Sequence, residues 1–394
     1  MSKYQRKVLV STAAGIGLEN MDIMFLAFSL SSIISSLQVT SAQAGFISTI
    51  TNLGMLAGGI FFGLLADKIG RVKVFSYTVI TFSIASLLMF FASNIYLIYL
   101  FRFIAGVGAG GEYGACMSLV SETFSKKNLA RATSVVAIGG QVGAIVAAIL
   151  ASLIIPVLGW KMLYVIGVLP IFFVLFIRRG LEEPESFKER QESGEKPKLS
   201  LLFKDVQTTW QTVGLTLMVT VQIAGYFGLM NWLPSIMQKQ LGLSVSGSSL
   251  WMISTIFGMS LGMLTFGTVM DKLGPKLSFG LFLIFSSLSV YLIVLAKGQW
   301  SLLLSTMLVG YFINGMYGGY GAVISSLYPT EIRATANNVI MNLGRAIGGF
   351  SSVVIGFLMD NYSLTAVVVC LSAIYLVSLC VMLTIPGFKL YKEN

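Results

Sequence analysis

The chain has 394 residues, 56% of them apolar and 11% charged, with a formal charge of +10 and a mean hydropathy of +0.84. A water-soluble fold of this length cannot hide that much apolar side chain, so the composition excludes a soluble enzyme or binding module. There is no histidine, and Cys116, Cys370 and Cys380 all lie in apolar runs. That argues against a disulfide framework or a metal site and leaves proton chemistry to carboxylates.

The first apolar run, roughly 8–34, carries Glu19 and Asp22 and lacks a small-residue cleavage site. It reads as a membrane helix and not as a removable signal. Four more spans follow at roughly 44–66, 74–92, 96–121 and 132–156, and a sixth at roughly 161–180. A polar, mixed-charge stretch at 181–207 then reads as a cytoplasmic linker. Beyond it come roughly 208–236, 246–270, 277–296, 299–327, 334–359 and 363–386. Each run suits a ~30 Å hydrocarbon layer. The expectation is an all-α membrane protein of twelve transmembrane helices. It has an N-terminal bundle at 1–180, a linker at 181–207 and a C-terminal bundle at 208–394.

With both termini in the cytoplasm, most basic residues fall inside. Lys3, Arg6, Lys7, Lys68, Arg71, Lys73, Lys126, Lys127, Arg131 and the cluster from Arg178 to Lys204 do so, and only Lys161, Lys239 and Lys297 fall outside. This is the positive-inside pattern of a multi-pass protein, expected here in the cell membrane. The net charge then reflects topology and contact with anionic lipid, not nucleic-acid binding.

The halves repeat each other. Gly63-Leu-Leu-Ala-Asp67-Lys68-Ile-Gly70-Arg71-Val-Lys73 returns, thinned, as Gly267-Thr-Val-Met-Asp271-Lys272-Leu-Gly274-Pro-Lys276. Arg131-Ala-Thr133 is matched by Arg333-Ala-Thr335, and Gly110-Gly-Glu-Tyr-Gly-Ala115 by Gly318-Gly-Tyr-Gly-Ala322. Both halves start inside, so this is a parallel duplication. Gly106-x-Gly108-x-x-Gly111 formally matches a dinucleotide fingerprint, but it lies within an apolar helix and follows no strand. Pairs four residues apart, such as Gly54/Gly58, Gly106/Gly110, Gly139/Gly143, Gly258/Gly262 and Gly344/Gly348, predict close helix approach instead.

On these motifs the whole chain resembles the major facilitator superfamily. Arg102-Phe-Ile-Ala-Gly106-Val-Gly108, Glu122…Arg131 and Tyr328-Pro-Thr-Glu331-Ile-Arg333 add to the likeness. Asn20-Met-Asp22, Asn231-Trp232-Leu-Pro234 and Leu343-Gly-Arg345 resemble its aromatic-acid and niacin proton symporters. Asn20-Met-Asp22 departs from that branch's usual small-aromatic-Asp form, and Glu19 adds a second acid. The resemblance implies two pseudo-symmetric six-helix bundles and alternating access around a central site. It implies a monomer in the lipid bilayer that takes up a small organic acid with protons, and no cofactor beyond that proton.

Ionised side chains inside spans cost from ~3 to over ~10 kcal/mol when unpaired. The candidates are Glu19, Asp22, Arg102, Glu112 and Arg345. Asp22 lies ~20 Å from the inner face and Arg102 ~10 Å from the outer face, at 1.5 Å per residue. In a ~30 Å core these depths coincide, which predicts an Asp22–Arg102 pair. Either the pair is permanent, or a proton on Asp22 releases Arg102, the coupling role the resemblance implies. Glu19 shares the Asp22 face and reads as a proton relay, a cation ligand or a structural acid. Glu112 reads as a proton carrier, a substrate contact or half of an unidentified pair.

Arg345 lies ~17 Å from the inner face, where substrate sites of the resembled superfamily lie. An anionic substrate or an acid on another helix would neutralise it. Tyr113, Gln141, Gln222, Tyr226, Asn231, Asn314, Tyr317, Tyr320 and Asn342 supply candidate cavity contacts for a ring-shaped solute. Asp67 and Arg71 with Arg131, and Asp271 with Arg333, read as conformational latches. The rival readings are a proton-driven drug or metabolite exporter and a neutral sugar or polyol symporter. A channel or an integral-membrane enzyme would need a continuous pore or a clustered nucleophile or metal site, and the sequence offers none.

Overall fold

Inside hydrocarbon a single apolar run satisfies its own peptide groups only as a helix. The computed structural model describes residues 1–124, 126–172, 199–329 and 332–388, and among these the secondary structure is helical, with no strand. The chain divides into two compact units, the described parts of Met1–Glu195 with Leu233–Leu250, and of Lys196–Trp232 with Trp251–Asn394.

The first unit contains α1 (Lys3–Leu37), α2 (Ser41–Ile69), α3 (Arg71–Leu88), α4 (Ile95–Thr123), α5 (Lys126–Leu158) and α6 (Trp160–Ile166). Then come α7 (Val206–Leu241), α8 (Val245–Leu273), α9 (Pro275–Ser289), α10 (Tyr291–Leu295), α11 (Gln299–Gly315), α12 (Tyr317–Leu327), α13 (Arg333–Gly348), α14 (Ser351–Asn361) and α15 (Leu364–Thr384). Among the described residues, 10 helical segments are long and apolar enough to cross a membrane. A shorter apolar one covers Trp160–Phe172. The run expected as one span at 299–327 is instead two consecutive helices, α11 and α12, that meet at Met316.

Short polar signals set the helix starts. The Gln5 amide donates to Ser2 Oγ at 3.1 Å and the Ser2 amide to Gln5 Oε1 at 2.9 Å. Thr40 and Gln43 repeat this capping box before α2. Asp205 caps α7, where the Thr208 amide donates to its Oδ1 at 2.7 Å. That bond holds the exposed Asp205 carboxyl below its usual range. Gly70 at φ 109° joins α2 to α3, and Gly274 at φ 78° joins α8 to α9. Only glycine turns a helix directly into its successor there without strain, which explains why the repeated loop motif keeps it.

Packing repeats at the same register. A Cβ on Gly54, Gly58 or Gly106 would overlap the backbone of Phe103, Val107 or Thr51, so α2 and α4 touch backbone to backbone. A Cβ on Gly258, Gly262 or Gly310 would meet Met307, Tyr311 or Thr255 in the same way, between α8 and α11. Every residue of the second set lies 204 positions after its counterpart in the first. The duplication read from the loop motif is therefore a duplication of contacts. Gly139 and Gly143 bring α5 onto α1 at Ala13 and Gly17, and Gly344 brings α13 onto α7 at Val219.

Leu233–Leu250, the end of α7 and the start of α8, groups with the first unit. Ser235 Oγ shares a hydrogen bond with Ser31 Oγ at 2.6 Å, and Ser246 Oγ donates to the Ser152 carbonyl at 2.6 Å. The second unit packs around a ring cluster. Phe266 meets Phe279 and Phe282 at 4.9 and 4.8 Å between centroids, and Phe279 meets Tyr320 at 4.9 Å.

Candidate functional site

Asp22 of α1 is buried inside the first unit. Its side chain is 5% exposed and faces an Arg102 that is 1% exposed. Arg102 Nη1 donates to Asp22 Oδ2 at 2.8 Å. Ser86 Oγ of α3 donates to the other carboxylate oxygen, Oδ1. Arg102 Nε donates to Thr51 Oγ1 of α2 at 3.4 Å. Four helices thus converge on one ion pair. Tyr164 of α6 shares a hydrogen bond with Ser29 of α1 at 3.0 Å. The pairing that the depth argument predicts is present. Ser86, Thr51 and Tyr164 were not singled out in the sequence, because serine, threonine and tyrosine are ordinary in apolar helices.

Glu19 and Glu112 form a second acidic locus. Both are buried, and neither oxygen of Glu112 bonds any described donor. Tyr113, beside Glu112, packs half-buried against the apolar cluster of this unit. Asn20 Nδ2 donates to the Gly140 carbonyl at 2.9 Å, which ties α1 to α5 next to the half-buried Gln141.

In the second unit the candidates gather around Arg345 of α13. Arg345 Nη2 donates to the Tyr317 hydroxyl of α12 at 3.4 Å. Tyr226 of α7 lies within electrostatic reach of both. Gln222, one turn before Tyr226, is 1% exposed, and neither end of its amide has a hydrogen-bond partner among the described residues. Among the described residues, α13, α12 and α7 thus supply a guanidinium, two phenols and a buried amide.

Other candidates bond to other groups within the second unit. Asn231 Nδ2 donates to Ser352 Oγ at 2.9 Å, and the neighbouring Trp232 indole donates to the Ser352 carbonyl at 3.0 Å. Asn342 Nδ2 donates to the Asn338 carbonyl of its own helix at 2.8 Å. Asn314 Nδ2 reaches Met263 Sδ at 3.9 Å. Tyr320 lies in the ring cluster with its hydroxyl on the Met218 carbonyl at 3.1 Å. The side chains of Asp67, Arg71, Arg131 and Arg333 lie outside the described residues, so both latches do too. Asp271 itself is exposed.

The sequence matches the Major Facilitator Superfamily profile over residues 12–350 and 215–390. It is 39% identical to a Haemophilus influenzae protein named for metabolite transport, over 99% of this chain and 98% of that protein. It is 31% identical to the sialic acid transporter NanX of Escherichia coli, over 98% and 96%. It is 25% identical to the niacin transporter NiaP of Acinetobacter baylyi, over 90% and 87%. The fold superposes on a crystal structure of a bacterial homologue of the human lysosomal transporter Spinster, inward-facing and occupied. The TM-score is 0.79 at 18% identity, covering 97% of each chain.

Proposed function

The chain belongs to the major facilitator superfamily and is a membrane transporter, not an enzyme, and we propose that it takes up a small organic acid together with protons. The observation that carries the reading is the Arg345 guanidinium with Tyr317 beside it and Tyr226 in reach. A fixed cation with phenols around it selects a carboxylate, and an aromatic or sugar-derived body fits the remaining rings and amides. Relatives named for sialic acid and niacin, both carboxylic acids, support this class.

Asp22 and Arg102 supply the coupling element. While Asp22 is ionised it holds Arg102, and a proton on Asp22 frees the arginine and loosens the seam between α1 and α4. Alternating access then links proton entry to substrate entry. In this reading the two six-helix halves sit in the cell membrane as a monomer with both termini in the cytoplasm, joined by the 181–207 linker.

The test is uptake into proteoliposomes of nicotinate, sialic acid and nicotinamide under an acid-outside gradient. At least one acid accumulates, a protonophore abolishes its accumulation, and nicotinamide does not accumulate. Arg345→Ala lowers uptake of that acid roughly tenfold to a hundredfold, the worth of one hydrogen bond to a charged group. Uptake of that acid unchanged by Arg345→Ala, or nicotinamide accumulating as well as nicotinate in the wild type, would refute charge recognition. Gradient-driven export of a cation would favour a drug antiporter instead.

A further inference from the structure

Glu112 is 0% exposed and lies over the backbone of α1 at Gly15. A Cβ on Gly15 would stand 2.6 Å from Glu112 Oε1 and 2.7 Å from the Phe75 ring. The absent side chain is therefore the space the carboxyl occupies, with Phe75 of α3 closing its far side. One turn along α1 from Gly15, Glu19 is also buried, and the two carboxyls interact electrostatically.

The buried apolar cluster of this unit includes Ile16 from α1, Phe62 from α2, Phe75 from α3, Ala115 and Cys116 from α4 and Val136 from α5, with the half-buried Tyr4 and Tyr113 packed against it. Of these Cys116, Tyr4 and Tyr113 titrate, and no described lysine or arginine bonds Glu112. The contrast with Asp22 is plain: Asp22 has a guanidinium and a hydroxyl on its two oxygens, and Glu112 has no described donor on either. A carboxylate without a donor on either oxygen inside an apolar bundle is costly, and a second carboxyl acting on it electrostatically adds to that cost. An acid pair that holds a proton removes that cost.

We propose that Glu112 and Glu19 form a proton-carrying acid pair separate from the Asp22–Arg102 pair. The proton comes from water and returns to water, and no other bond changes. The pair deepens the proton-coupled reading and rests on it, giving the first unit two acid sites with different settings: one satisfied by a cation, the other by a proton.

The test is infrared difference spectroscopy on the full-length protein in lipid nanodiscs, titrated through neutral pH without substrate. The readout is the carbonyl stretch of a protonated carboxyl. At neutral pH the wild type shows a band that Glu112→Gln removes and Asp22→Asn leaves in place. Glu19→Gln shifts the proton affinity of the site roughly tenfold, one pKa unit, and keeps the question open to measurement should Glu112→Gln not fold. A band that survives Glu112→Gln, disappears in Asp22→Asn or ignores Glu19→Gln overturns the proposal. Because no substrate is added, failure of nicotinate or sialic acid uptake does not alter this result. An absent band, in turn, leaves organic-acid transport standing.

Discussion

Asp22 and Arg102 each neutralise the other inside the first unit, so neither is dispensable alone. Arg102→Ala leaves a buried carboxylate whose remaining partner is the Ser86 hydroxyl. Removing one member of a buried pair typically costs about 3–5 kcal/mol. Replacing both by neutral side chains of similar volume costs less, because no charge stays stranded. The expected order of thermal unfolding midpoints in nanodiscs is wild type, then Asp22→Asn/Arg102→Met, then Arg102→Ala. A single variant as stable as the wild type would show the pair to be solvated. The pair was legible because two charges at one depth in apolar helices have few other places to go. Ser86 and Thr51 were not legible. Hydroxyls in membrane helices mostly bond back along their own helix, as Thr12 does to the Val8 carbonyl, and composition does not reveal which one turns outward.

At the scale of helices, glycine spacing announced close approach, but only the structure names the partner. Gly58 faces the Val107 backbone and Gly262 the Tyr311 backbone, so what an added Cβ would meet is main chain that cannot swing away. Gly58→Ala and Gly262→Ala should each destabilise by roughly 1–3 kcal/mol, the usual penalty of overpacking. Gly63 and Gly267, in the same two helices, have nothing within 4 Å of an added Cβ. Alanine there should stabilise by up to ~1 kcal/mol through helix propensity alone. Thermal unfolding of the four variants checks the contrast, and equal effects in both pairs would mean that helix propensity, not contact, governs these positions. Other features escaped the sequence at this scale. The division at Met316 carries no proline or charge to announce it. A sequence duplication also says nothing of contact, so the grouping of Leu233–Leu250 with the first unit has no counterpart in the pattern.

For the whole molecule, orientation follows from which helix ends carry charge. The start of α1 has Lys3, Arg6 and Lys7; the α2–α3 turn has Lys68 and Lys73; the α8–α9 turn has Lys272 and Lys276. The opposite ends carry few basic residues, Lys161, Lys239 and Lys297, and are otherwise uncharged at Gln38 and Thr40 between α1 and α2, Asn94 before α4, and Gly242 and Ser244 between α7 and α8. Short basic loops resist translocation, so the basic ends should stay in the cytoplasm. An even number of crossings in each half then returns the chain to the side on which it began. Alkaline phosphatase, which folds to activity only outside the cytoplasm, should be active when joined after Thr40 or Ser244 and inactive after Lys73 or Lys276. A fluorescent protein that matures only in the cytoplasm should glow when fused after Asn394. The reverse pattern would place the Arg345–Tyr317 contact and the Asp22–Arg102 pair in an inverted protein. An acid-outside gradient would then approach the carboxylates from the other face, and uptake would have to be reassigned as export.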